Sequence, residues 1–163
     1  EVLQSVIRPT IGVLTNIGGA HQENFYSLQD KCLEKLSLFK ECDVVIYDGD
    51  NELISSCVSR CLLGAREIAW SRVDNERPLF IESIEKGNKT TTIRYRYLGM
   101  PNTYTIPFID DASIENSLHC LAVALYMMLP AEKISERMAL LEPVAMRLEV
   151  KEEIGRASCR ERV

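Results

Sequence analysis

No hydrophobic run in the sequence approaches the roughly 20 apolar residues that cross a bilayer, and the opening Glu1-Val2-Leu3-Gln4-Ser5 lacks the basic and apolar regions of a secretory signal. This argues against a membrane partner and sets the expectation of a soluble, cytoplasmic protein. Basic charge is also scarce: 19 Lys and Arg against 24 Asp and Glu leave a net charge of −5. A polynucleotide backbone is held mainly through clustered Lys and Arg, so nucleic acid is not expected as a partner either. There is no C-x-x-C pair among Cys32, Cys42, Cys57, Cys61, Cys120 and Cys159, which argues for reduced, buried thiols over a disulfide framework. Cys57 and Cys61 stand four apart in an expected helix, but neither histidine is near them in sequence, and small buried hydrophobes are the better account than a metal site. A phosphate-binding G-x-x-x-x-G-K-[ST] loop is absent too. Gly87-Asn88-Lys89-Thr90 imitates only its end and reads as a hairpin turn.

With 163 residues, 46% of them hydrophobic, the chain has the material for one globular domain. Thr10–Thr15 is a short β-rich run that ends in the turn chemistry of Asn16-Ile17-Gly18-Gly19. From Ser27, a plausible N-cap, the period becomes helical: Leu28, Cys32, Leu33, Leu36 and Phe39 share one face, with Gln29, Asp30, Lys31 and Glu34 largely on the other. Asp43–Tyr47 reads as a second buried strand, Asn51–Leu63 as a helix and Ala65–Trp70 as a third strand. Strand-helix alternation of this kind predicts parallel strands with helices on both faces, and a ligand site beyond the strands' carboxyl ends, where Asn16 to His21 lies. Leu79–Ile84, Thr91–Leu98 and Asn102–Ile106 alternate in polarity and read as an antiparallel extension, followed by helices over Ala112–Leu129 and Ala131–Leu141.

By spacing alone, a loop histidine (His21) and a lysine fourteen residues later in the next helix (Lys35) are more often solvated than functional. Their setting changes that. Thr15-Asn16-Ile17-Gly18-Gly19-Ala20-His21, followed by Leu33-Glu34-Lys35, resembles the central-domain signature of the Mur ligase family, in which a strand-end T-N-x-x-x-x-H precedes a helix lysine. Ile114-Glu115-Asn116-Ser117-Leu118 resembles that family's asparagine-bearing helix, and Pro143-Val144-Ala145-Met146-Arg147-Leu148-Glu149 its P-x-x-x-R-x-E segment. The likeness runs from about Thr10 to Glu149, and Ala20 to Phe25 look most like the branch that adds D-alanyl-D-alanine.

The resemblance implies an α/β fold: a Rossmann-like, P-loop-type sheet, mostly parallel with an antiparallel extension, truncated on its N-terminal side. It also implies ATP and Mg2+ as cofactors, a carbamate on Lys35, and His21 and Lys35 as the catalytic, magnesium-holding pair. A carbamate supplies the hard anionic oxygens that magnesium prefers and an ammonium cannot. Asn116, Arg147 and Asn16 would bind the nucleotide, Asn116 beside the adenosine and Arg147 facing the phosphates. The implied substrates are UDP-N-acetylmuramoyl-tripeptide and D-alanyl-D-alanine, joined as an amide through an acyl phosphate. Glu23 has no assigned role. Residues 1–154 are expected to be part of the central domain, with its flanking domains missing. Gly155–Val163, abruptly basic and without amphipathic period, is expected to be a non-native tail. With the P-loop, an upstream acidic magnesium ligand and the closing domain all absent, and Ser113 standing where relatives often have asparagine, the chain alone is expected to be inactive. The alternatives are a folylpolyglutamate synthase-like ligase, and a non-catalytic α/β binding module in which His21 and Lys35 are merely solvated.

Overall fold

The computed structural model describes residues 6–18, 26–61 and 64–142. Along the chain these form β1 (Ile11–Leu14), α1 (Leu28–Leu36) with a 3-10 turn (Ser37–Phe39), β2 (Val44–Asp48), α2 (Glu52–Cys61), β3 (Arg66–Ser71), β4 (Leu79–Lys86), β5 (Thr91–Tyr97), β6 (Met100–Ile106), α3 (Asp111–Tyr126) and α4 (Ala131–Met138). The strands make one six-stranded sheet whose spatial order is the chain order.

Strands β1, β2 and β3 are parallel, with Ile11 opposite Val44 and Val44 opposite Arg66. Both crossovers step the same way across the sheet, so α1 and α2 fall on the same face. There Val45, Tyr47 and Ala69 pack with Cys32, Leu36, Ile54 and Val58. Residues alternate along a strand, so Val44, Ile46, Ile68 and Trp70 point the other way, into a second core closed by Leu118 and Leu121 of α3 and Ile134 and Met138 of α4. Helices therefore cover both faces, the crossover pair on one and the pair that follows β6 on the other.

The helix starts follow from local chemistry. Ser27 Oγ accepts from the Asp30 amide at 3.1 Å, Asn51 Oδ1 from the Ile54 amide at 3.1 Å and Asp110 Oδ1 from the Ser113 amide at 2.8 Å. Each satisfies a donor that the first helical turn leaves without an intrahelical partner. Gly12 on β1 permits a close approach: a Cβ there would lie 2.6 Å from Cγ of Phe39, so the bare backbone lets that ring sit on the strand and seat the end of α1.

One expectation needs correction. The segment beginning at Leu79 does not enter the sheet as an antiparallel strand: β4 pairs parallel with β3, Leu79 opposite Trp70 and Phe80 opposite Ser71, and only β5 and β6 are antiparallel additions. Parallel neighbours usually need a crossover of about a dozen residues or more. Here the start of β4 pairs with the end of β3, so the chain sidesteps instead of travelling back. Ser71 Oγ supports the step by accepting from the amides of Val73 at 3.0 Å and Asp74 at 2.7 Å. The last hairpin turns on Leu98 (φ 49°) and Gly99 (φ 84°), so β6 begins two residues earlier than alternation suggests. Positive φ at both central residues matches the twist of the flanking strands. Among the described residues, no helix is long and apolar enough to cross a membrane.

Candidate functional site

The carboxyl ends of β1, β2 and β3 share one edge of the sheet, the edge at which open α/β sheets bind ligands. Two polar clusters lie along it. The first forms where the chain leaves β1. Ile17 is buried in the core with Cys32 and Leu36, which pins the loop, while Asn16 and Gly18 stay exposed. Lys35, exposed in the last turn of α1, places Nζ 3.5 Å from the Asn16 carbonyl oxygen, the outer limit of a hydrogen bond. Asn16 and Lys35 are thus brought together.

Lys31, one turn earlier, overturns its expected place on the solvated face of α1. It is only 6% exposed, and its Nζ donates to the Gly18 carbonyl at 2.6 Å. The loop from Asn16 to Gly18 is tied to α1 at Lys31 and Lys35, with Ile17 packed against Cys32 and Leu36 between them, and the Lys31 stem is covered. Next to it, burial above all, then the neighbouring Cys57, pushes the Cys32 thiol up to about 12. That keeps it a neutral core group, as expected of a buried thiol. Cys42 and Cys57 are buried as well, but Cys61 and Cys120 are exposed, against the expectation of buried thiols: both lie on helix faces turned to solvent.

The second cluster is a cleft of about 420 Å³ between the ends of β2, β3 and β4 and the start of α3. Asp48, Arg72, Lys86 and Glu115 line it over the apolar surface of Trp70 and Leu118. Burial raises the pKa of the Asp48 carboxyl, against the pull of the hydrogen bond it accepts from the Asp50 amide. Burial also raises that of Glu115, and the charge of Asp48 adds to it. Facing carboxyls over an apolar surface suit a ligand that brings hydrogen-bond donors. Sequence reasoning missed these groups, although the strand-end position of Asp48-Gly49-Asp50 repeats the logic that singled out Asn16.

Asn116 is half-buried on α3, beside Glu115 but about 100° around the helix from it, and does not line the cleft. Asp110 caps that helix, so Asn116 is not needed as its cap. His119, one turn further on, is 2% exposed. Its Nδ1 accepts from Trp70 Nε1 at 3.3 Å, and the rings meet edge to face. Its Nε2 has no hydrogen-bond partner among the described residues. Burial lowers its pKa, while the Thr15 carbonyl, near the ring but outside hydrogen-bond geometry, pulls it back up. His21 and Arg147 lie outside the described residues, as do Glu23 and Gly155–Val163.

A sheet of four parallel strands extended by two antiparallel ones, with helices on both faces and polar clusters at its carboxyl edge, defines an α/β/α class of domain. The family model for the Mur ligase middle domain matches residues 1–124, and the chain belongs to that family. It is similar to UDP-N-acetylmuramoyl-tripeptide–D-alanyl-D-alanine ligase of Bacillus subtilis (strain 168), 26% identical over 153 residues, a match covering 92% of this chain and 32% of that protein. Among solved structures it resembles MurF from Acinetobacter baumannii, with a TM-score of 0.76 at 16% identity over 90% of this chain and 32% of that one. The apo form of folylpolyglutamate synthase (FPGS) of L. casei shares the fold at a TM-score of 0.62 and 15% identity, covering 82% of this chain and 34% of that one. The chain spans about a third of the length of the relatives it matches.

Proposed function

We propose that this chain is the ATP-handling part of a ligase that joins D-alanyl-D-alanine to UDP-N-acetylmuramoyl-tripeptide in peptidoglycan precursor synthesis. Membership of the Mur ligase family makes it part of a ligase, and the likeness to the B. subtilis enzyme favours this substrate pair. The observation that carries the site is the meeting of Lys35 and Asn16, nineteen residues apart, at the carboxyl edge beside β1. In the proposed reaction ATP phosphorylates the terminal carboxylate of the tripeptide, releasing ADP. The amine of D-alanyl-D-alanine then attacks the acyl phosphate, forming the amide and releasing phosphate and a proton.

The donor set fits the implied Mg2+ in one respect: Lys35 presents its head to solvent, where carbon dioxide can reach the amine, and its carbamate would bring hard oxygen ligands to this edge. With His21 it would hold the ion, which when bound neutralises crowded phosphate charge. Asn16 would border the phosphates, Asn116 the adenosine, and Arg147 would present several donors to phosphate oxygens.

The test uses the chain with its native flanking segments restored, and measures phosphate release that requires both UDP-N-acetylmuramoyl-tripeptide and D-alanyl-D-alanine. Release that collapses in Lys35→Ala supports the proposal. Release only with folate and glutamate would assign the domain to the folylpolyglutamate synthase branch instead, and ATP binding without any turnover would leave a binding module.

A further inference from the structure

Lys31 plays no part in the proposed chemistry, yet it is the buried lysine of the site. An ammonium removed from water costs several kcal/mol unless its donors are used, and Lys is rarely buried unless paired. The lysine is 6% exposed, and the short 2.6 Å bond to the Gly18 carbonyl uses one donor on the loop that leaves β1. Four residues on, a full turn of the same helix, Lys35 reaches the same loop at the Asn16 carbonyl, but at 3.5 Å and from an exposed position. Residues four apart on a helix are neighbours. Two lysines of one helix face thus hold two carbonyls of one loop, one tightly and out of solvent, the other loosely and within reach of it.

We propose that Lys31 is a positioning residue: its bond to Gly18 fixes the Asn16–Gly18 loop independently of Lys35, so that Lys35 can exchange its ammonium for another chemical form without releasing the loop. The division of labour follows from the two environments. Were Lys35 the loop's anchor, losing its positive charge would loosen the backbone that Asn16 must present. With Lys31 as the anchor, the loop keeps a charged donor whatever becomes of Lys35. Ile17, buried between the two carbonyls, makes a tether at Gly18 felt at Asn16.

This inference rests on the proposed ligase reading, and its test separates the two. In the full-length protein, Lys31→Met keeps the length and apolar stem and removes the donor; Lys31→Arg keeps a charged donor. The readouts are kcat and KM for ATP, hydrogen exchange at the Asn16–Gly18 amides, and the carbamate resonance obtained with carbon-13-labelled bicarbonate. With the thermal midpoint as a check on folding, Lys31→Met is expected to lower kcat on the order of 10²-fold, the cost of misplacing a site by about 1 Å. KM for ATP should change far less, loop exchange should speed up, and Lys31→Arg should restore most of the rate. Unchanged loop exchange in folded Lys31→Met, or an equal loss in both variants, overturns the proposal. Should Lys31→Met not fold, Lys31→Gln, a shorter neutral donor, takes its place: faster loop exchange and lower kcat than in Lys31→Arg are expected, and parity with Lys31→Arg in both overturns the charged-donor role. A wild-type protein that shows no ligase turnover counts against the ligase reading alone, because loop exchange and the carbamate resonance are read without turnover.

Discussion

In the antiparallel half of the sheet Arg94 meets Glu85 at 3.6 Å and Arg96 meets Glu82 at 3.3 Å, and Lys86 reaches Asp111 at 2.6 Å. In the parallel half the lysines of α1 reach backbone carbonyls of a loop. The first arrangement lies on the outside of a hairpin whose stability comes from beneath, from Ile93, Tyr95, Tyr104 and Ile106 against α3 and α4. The second commits side chains to the shape of one short segment at the carboxyl edge. Charges in one half decorate a scaffold, and in the other they place a loop. The halves should therefore respond to mutation in different ways, through stability in one and rate in the other.

The largest separation is expected at Lys35. Its side chain is exposed, so Lys35→Ala in the full-length protein should leave the unfolding transition in place while, on the proposed function, lowering turnover on the order of 10³-fold, the scale of losing a preorganised electrostatic group. Parallel measurement of urea unfolding and phosphate release checks this, and a variant that loses stability in step with activity would erase the distinction. The mirror experiment is Ile93→Ala in the buried centre of β5, which should cost about 3 kcal/mol through lost burial and a cavity. Protein that remains folded should keep near-normal kcat.

The division between the halves also explains what could be read from the sequence. Period and cap chemistry locate the helices and strands from β1 to α4 to within a few residues, because Ser27, Asp110 and the alternating apolar runs act locally, but not the helical residues 6–7 before β1. The parallel entry of β4 was not legible, since its offset pairing with β3 depends on tertiary register and not on the composition of the segment. In the site, Asn16 and Lys35 were found through a motif, and their proximity is geometric. The burial of Lys31 is not legible because helical periodicity describes one helix against one core and is blind to a loop carbonyl brought to its other face. The role of His119 is not legible in the sequence because it accepts from Trp70, forty-nine residues away.

His119 joins the two halves through Trp70, and its titration offers a smaller, pH-dependent test. Burial holds its folded pKa below the ordinary value of about 6.5, so the unfolded chain takes up the proton first. Its contribution is therefore complete above about pH 6.5 and is lost as pH falls from there through the folded value. The raised carboxyls of Asp48 and Glu115 act in the opposite sense, binding protons more readily in the folded state, but starting from ordinary values of 3.8 and 4.5. As pH falls below about 6.5 the histidine should dominate, lowering the stability of wild type. His119→Asn, which keeps an acceptor for Trp70, should lose less over the same range in urea titrations, and coincident pH slopes would remove His119 from the account.

The smallest effect should come from the shortest ion pair. Lys86 and Asp111 are 2.6 Å apart, but Asp111 is almost fully exposed and Lys86 nearly half so. Water screens such a pair, and ordering two flexible side chains offsets much of its attraction, so exposed pairs contribute about 0–1 kcal/mol. Lys86→Ala should therefore change the unfolding free energy from urea titration by no more than a few tenths of a kcal/mol, and less still in high salt. Lys86 also lines the cleft below α3, with Asp48 and Glu115. If Lys86→Ala left stability alone but changed KM for ATP or the tripeptide, the antiparallel half would hold a working charge as well as decoration, and the boundary between the two regions would move to include the cleft.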